Sequence, residues 1–194
     1  LLTALASTVE QTAALLASML ERAAVEKEWS DALAAEQTAA LEGSKPDAPI
    51  TREVLDALPL LDGFATETLR LDPPCRPRRC ITAQAESLDG YALPVGSVLA
   101  PEPFVGHLLP SAYPEPRRFD PRRYDDGAAP RPTLGFAGPL GGEAADERAA
   151  GCELSLYVAK AAFVQIRRMF EPVVSREGGT PGSRQCGEPI RTLP

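Results

Sequence analysis

Proline decides what this chain can fold into. Of its 20 Pro, none precedes Pro46, none lies between Pro139 and Pro172, and sixteen fall from Pro46 to Pro139. Proline lacks the N–H that a helix or sheet ladder needs, and its ring clashes with the preceding turn. The middle of the chain therefore cannot be a plain helical bundle. The two Pro-free stretches are rich in Ala and Leu and stay open to long helices. The pattern predicts helix, irregular middle, helix, irregular tail: a mainly α fold with a small β-hairpin region.

Composition excludes several classes. The 194 residues suit one domain or a piece of a larger one. With 20 basic and 27 acidic residues the net charge is −7. No polybasic patch argues for nucleic acid; the nearest run, Arg76 to Arg79, is short and Pro-broken. Four Cys, at 75, 80, 152 and 186, are too few and too scattered for a disulfide scaffold. Cys75 and Cys80 have no second pair at zinc spacing. No apolar run reaches the ~18 residues of a membrane span. Leu1-Leu2-Thr3 carries neither Met nor a charged leader and reads like the inside of a helix. The expectation is a fragment of a longer chain.

Residues 1–42 hold no Gly or Pro. Leu5, Val9, Leu16, Leu20 and Ala24 follow helical spacing. Polarity rises after Glu21, predicting a surface helix bent or broken near Glu26 to Ser30. Gly43-Ser44-Lys45-Pro46 ends it. Thr51 caps a short helix. Pro59 opens another, with Leu60, Phe64, Thr68 and Leu71 on one stripe, and Pro73-Pro74 stops it. Asp89-Gly90 and Val95-Gly96 read as turns around short strands. From Pro110 to Pro132 nothing alternates, which predicts a meandering loop. Residues 136–151 read as a Gly/Ala loop and 153–170 as a helix with Leu154, Val158, Ala161, Ala162, Ile166 and Phe170 on its apolar face. The tail, 172–194, is Gly/Pro-rich with room for one weak hairpin.

Two motifs stand out. Glu67-Thr-Leu-Arg70 places an acid and a base on one helix face, followed by Leu71-Asp-Pro-Pro74. Tyr113-Pro-Glu-Pro-Arg-Arg-Phe-Asp-Pro-Arg-Arg-Tyr124 is a Pro-fixed loop able to aim an Arg back at that helix. With Gly90-Tyr91-Ala-Leu-Pro94-Val-Gly96 between them, the set resembles the C-terminal part of the cytochrome P450 fold. In that family Glu-x-x-Arg and a later Arg form a buried charge triad behind the haem. The resemblance assigns those structural roles to Glu67, Arg70 and Arg123. Removing one partner of such a buried group costs on the order of 3–5 kcal/mol.

The resemblance spans roughly residues 1–171. It divides the partial domain 1–194 into a distal-type helix and the helix after it (1–42), the Glu-x-x-Arg region (51–71), the hairpin and meander (86–132), the ligand loop with its following helix (133–171), and the tail (172–194). Ser7-Thr8-Val9-Glu10-Gln11-Thr12 falls where the family has Ala-Gly-x-Asp/Glu-Thr-Thr. This implies catalytic assistance from Glu10 and Thr12, although Gln11 replaces the first Thr. Arg79 lies near the position of an Arg that meets a haem propionate. His107 occupies a His position of the family, while Leu108-Leu109-Pro110 departs from its pattern.

The family's iron-binding motif is Phe-x-x-Gly-x-His/Arg-x-Cys-x-Gly, then a helix. Here Phe136-Ala-Gly138 begins it. An insertion through Glu143-Ala-Ala-Asp-Glu147 follows, then Arg148-Ala-Ala-Gly-Cys-Glu-Leu-Ser155. Two registers stay open. Anchoring on the helix makes Gly151 the motif Gly and puts Ala149, which has no donor atom, at the ligand position. Alternatively Cys152 is the iron ligand. The resemblance implies haem held by Arg79, His107, Phe136, Arg148 and Gly151. It also implies an apolar small-molecule substrate and an electron-donating reductase or ferredoxin. The implied reaction is insertion of one oxygen atom. The alternative is an inactive, degenerate chain with a binding role. Membrane association and compartment stay open.

Overall fold

A computed structural model describes residues 2–42, 48–74, 80–99, 103–127, 129, 130, 132, 144–170 and 172. The Pro-free start forms α1 (Leu2–Val25) and α2 (Lys27–Ala40), separated at Glu26. Then come α3 (Arg52–Asp56) and α4 (Pro59–Leu71). Four short strands follow: β1 (Cys80–Ile81), β2 (Glu86–Leu88), β3 (Tyr91–Leu93) and β4 (Val98–Leu99). Next are α5 (Pro103–His107), a 3₁₀ turn (Pro121–Tyr124) and α6 (Ala144–Met169). No described helix is long and apolar enough to cross a membrane.

The strands make two antiparallel pairs, β1 with β4 and β2 with β3. Asp89 and Gly90 link β2 to β3 with φ of 49° and 82°. Two successive positive φ angles match the right-handed twist of the strands, which is why Asp-Gly suits this turn. Val95-Gly96 makes the second turn, with Gly96 at φ 83°. Thr82 ties the pairs together: its hydroxyl donates to the Pro94 carbonyl at 2.7 Å and accepts from the Ser97 N–H at 2.9 Å.

The core lies where α1, α4 and α6 meet. Leu15, Met19, Leu58, Leu61, Phe64, Phe163 and Val164 are fully buried there. Phe64 stands edge-on to Phe119 at 5.1 Å and tilts against Phe163 at 5.9 Å. Lys160 of α6 pairs with Asp62 of α4 at 2.7 Å. Arg167 donates to the hydroxyl and carbonyl of Ser30 at 2.9 and 3.0 Å, fixing α6 to α2.

Three expectations are corrected. In α1 the buried stripe is Leu15, Met19 and Ala23; Val9 is 67% exposed, and Leu16 and Leu20 sit at the margin. In α6 the buried stripe is Ser155, Ala159, Phe163 and Val164, while Leu154 and Val158 are 51% and 42% exposed. Both helices are Ala-rich, so apolar groups surround much of each cylinder. Periodicity then leaves the buried face open to a rotation of one residue. Third, the loop assigned to 136–151 is helical from Ala144 onward. Apart from Asp146, residues 144 to 150 are Ala, Glu and Arg, which are good helix formers, and the single Gly151 costs only about 1 kcal/mol. Residues 133–143 lie outside the described residues, as do 173–194.

Candidate functional site

Helix α4 is the element on which the site is built. Every residue from Gly63 to Arg70 is buried. A helix buried on all sides has to satisfy its own charges, and this one carries Glu67 and Arg70, both fully buried. Arg70 Nε and Nη2 donate to Glu67 Oε2 and Oε1 at 2.8 and 2.7 Å. This planar, two-point contact is one that Lys cannot make. Arg123, from the 3₁₀ turn, donates its Nε to Glu67 Oε1 at 3.1 Å. The structure thus brings Glu67, Arg70 and Arg123 together.

Two further groups complete the carboxylate's coordination. The Asp120 N–H donates to Glu67 Oε1 at 3.1 Å, and the Tyr124 hydroxyl donates to Oε2 at 2.9 Å. Burial alone pushes the Glu67 carboxyl up. The hydrogen bonds from Arg70 and the Asp120 N–H, with the charges of Arg70 and Arg123, outweigh that and hold it below its ordinary value. Burial raises the Tyr124 phenol far above its ordinary value, helped by the adjacent Glu67 charge. Tyr124 therefore stays a donor at any physiological pH.

The two guanidinium groups also organise backbone. Arg70 Nη1 donates to the carbonyls of His107 and Pro116 at 2.8 and 2.7 Å, and the guanidinium packs over the Tyr113 ring at 4.9 Å. Arg123 donates to the carbonyls of Pro114 and Arg118 at 2.9 and 3.2 Å. A Pro-rich loop cannot pair its carbonyls in a ladder, so two arginines take that role. From outside, Arg22 of α1 lies over the Phe119 ring at 5.4 Å and pairs with Asp72 at 2.9 Å. Arg122 lies over the Trp29 ring at 5.5 Å.

A profile of the family described as Cytochrome P450 matches residues 1–138. The chain belongs to the cytochrome P450 family. Two similar proteins show the extent of the likeness. A cyclooctat-9-en-7-ol 5-monooxygenase of Streptomyces melanosporofaciens is 33% identical over 132 residues, 68% of this chain and 28% of that protein. A C-22 sterol desaturase of Gibberella zeae is 35% identical over 95 residues, 48% of this chain and 18% of that protein. The chain thus matches well under a third of the length of these relatives. The family match ends at 138, short of the 171 expected from the motifs, so both candidate ligand positions lie beyond it.

Of the other expected site residues that are described, His107 adjoins the cluster, while Glu10 and Thr12 lie on α1. Glu10 is exposed on α1 and Thr12 is half-buried. Glu10 lies twelve residues before Arg22, about 18 Å along the helix axis. His107 is buried against the end of α4, its Nδ1–H donating to the Arg70 carbonyl at 3.0 Å. Burial lowers its pKa, and the nearby Arg70 charge adds to that. It thus satisfies one of α4's last carbonyls. Arg79 and Phe136 lie outside the described residues. Arg148, Ala149, Gly151 and Cys152 fall on helical backbone in α6, with their side chains outside the description.

A haem iron in this family takes a thiolate. None of the four Cys has a described side chain, and the single His is committed to Arg70. The fit of a haem-thiolate centre therefore rests on Cys152, which lies on the helical backbone of α6.

Tyr124 and the Asp120 N–H are the participants that the motif reading missed. They are 57 and 53 residues from Glu67, and no spacing rule links them. Tyr124→Phe should cost about 1.5–3 kcal/mol, the range for a hydrogen bond to a charged group. Urea unfolding of the two proteins measures it. A midpoint unchanged within error would show that the phenol contributes nothing.

Proposed function

We propose that this chain is the C-terminal, haem-supporting part of a cytochrome P450 monooxygenase. The reaction would insert one oxygen atom into an apolar organic substrate, with electrons from a reductase or ferredoxin. The observation that carries this reading is the buried Glu67–Arg70–Arg123 cluster inside the segment matched by the family. Bound haem, ligated by a thiolate, supplies oxygen activation and O–O cleavage. The chain's own contribution is mechanical and polar. Glu67, Arg70 and Arg123 hold the Pro-rich loop against α4. Glu10 and Thr12 hold and pass protons on the distal side. On this reading Arg79, Phe136, Arg148 and Gly151 would hold the cofactor, Gly151 from within α6, and Cys152 would give the thiolate.

A second reading, a chain without haem chemistry that serves as a binding module, is favoured by one observation. Helix α6 runs without interruption from Ala144 through Ala149 and Cys152. Inside a helix the backbone N–H groups are spent on carbonyls four residues back. They are then not available to hydrogen-bond a thiolate, as the metal's outer shell requires. The reduced carbon monoxide difference spectrum of the full chain supplied with haem decides between the readings. The monooxygenase reading expects a thiolate-type Soret band that Cys152→Ala removes. Absence of haem uptake, or a band untouched by Cys152→Ala, would sink it.

A further inference from the structure

Helix α4 begins without a cap of its own. Its N-cap residue is Leu58, fully buried and without a capping side chain, and Pro59 at the first helical position has no N–H. The next two N–H groups are satisfied from another helix. Leu60 N–H donates to Glu36 Oε1 at 2.7 Å and Leu61 N–H to Oε2 at 3.0 Å. The Asp62 N–H donates to the Leu58 carbonyl at 3.1 Å. The first turn's donors are thereby accounted for, two of them by a single carboxylate of α2. A negative charge there also complements the positive end of the helix dipole.

The turn is packed into the core through Leu58 and Leu61 and open on one side. A cleft of about 360 Å³ opens beside it, lined by Glu36, Leu60, Asp62, Gly63, Arg122 and Tyr124 among others. The same cleft joins the capped turn to the 3₁₀ turn that carries Arg123 and Tyr124. From Leu61 to Glu67 is six residues, about 9 Å of helix axis. Between them Gly63 presses on the Pro121 carbonyl, where a Cβ would overlap the oxygen. Along this length α4 meets Glu36, then Pro121, then the Asp120 N–H and the Tyr124 hydroxyl.

We propose that Glu36 is a positioning residue for the charge cluster. Its carboxylate bridges α2 to the first turn of α4 and sets the axial position at which Glu67 meets the Asp120 N–H and the Tyr124 hydroxyl. The hydrogen bonds of Glu36 go to Leu60 and Leu61 and to none of the cluster residues. It acts only through the register of α4, so the inference stands whether or not haem binds.

Amide hydrogen exchange on the full chain reads this directly. Glu36→Ala should speed exchange of the Leu60 and Leu61 amides about tenfold, as expected when a cap is lost and the turn opens locally. Because the register is shared, the Asp120 amide should speed up as well, while Val164 in α6 stays within about twofold. Acceleration confined to Leu60 and Leu61 would overturn the proposal, leaving Glu36 as a local cap. Equal acceleration at Val164 would overturn it too, as general loss of stability. If Glu36→Ala does not fold, Glu36→Gln decides. It keeps one carbonyl acceptor, so a smaller acceleration at Asp120 relative to Val164 supports the proposal and none overturns it.

Discussion

Arg70→Ala should destabilise the chain by about 3–5 kcal/mol, enough to leave much of the population unfolded at room temperature. The substitution does more than remove one ion pair. It strands a fully buried carboxylate, and it leaves the carbonyls of His107 and Pro116 without their donor. The pH dependence should change sign as well. In the native chain Glu67 is held below its ordinary 4.5. Its contribution is therefore complete above that value and is lost as pH falls through the lower folded value. Without Arg70, burial dominates and pushes the carboxyl up. The variant should then gain stability on acidification toward 4.5, where the native chain still holds its own. Urea unfolding at neutral pH and near pH 5 measures both effects. A loss under about 1 kcal/mol with an unchanged pH slope would contradict the buried-cluster account.

Gly63→Ala is the second large effect, and its sign is diagnostic. In a helix with free space, Ala in place of Gly gains about 1 kcal/mol. Here the added Cβ would overlap the Pro121 carbonyl oxygen, and the obstacle is backbone, not a side chain that swings aside. The 3₁₀ turn would be driven off α4, carrying Arg123 and Tyr124 away from Glu67. Overpacking of this kind costs about 1–3 kcal/mol, and the weakened cluster adds to it. Thermal unfolding is the measurement. A raised midpoint would mean that α4 and the turn are not in close contact.

The charge cluster shows how far the chain's linear pattern reaches. Glu67 and Arg70 are three apart on a helix that Pro59 opens and Pro73-Pro74 closes, so their pairing is local and legible. Arg123 was legible only through its likeness to a family motif, because 56 residues separate it from Glu67. Tyr124 and Glu36 were not legible at all. Each acts across elements whose mutual placement comes from packing, and Glu36 gives no local sign that it caps a helix beginning 23 residues later.

The helices divide the same way. Proline spacing set where α1, α2, α4 and α6 can exist, because a missing N–H and a ring clash act within one turn. It also set the irregular middle, and Asp89-Gly90 set the turn of the β2–β3 pair. The faces those helices bury came from elsewhere. In α1 and α6 the buried residues lie one position from the expected stripe, since Ala and Leu cover most of both cylinders and only the partner's shape selects among them. Local chemistry determined the elements and one pair of charges. The packed structure decided their rotation, their register and the third and fourth partners of Glu67, because burial and hydrogen bonding between distant segments are properties of the assembled core alone.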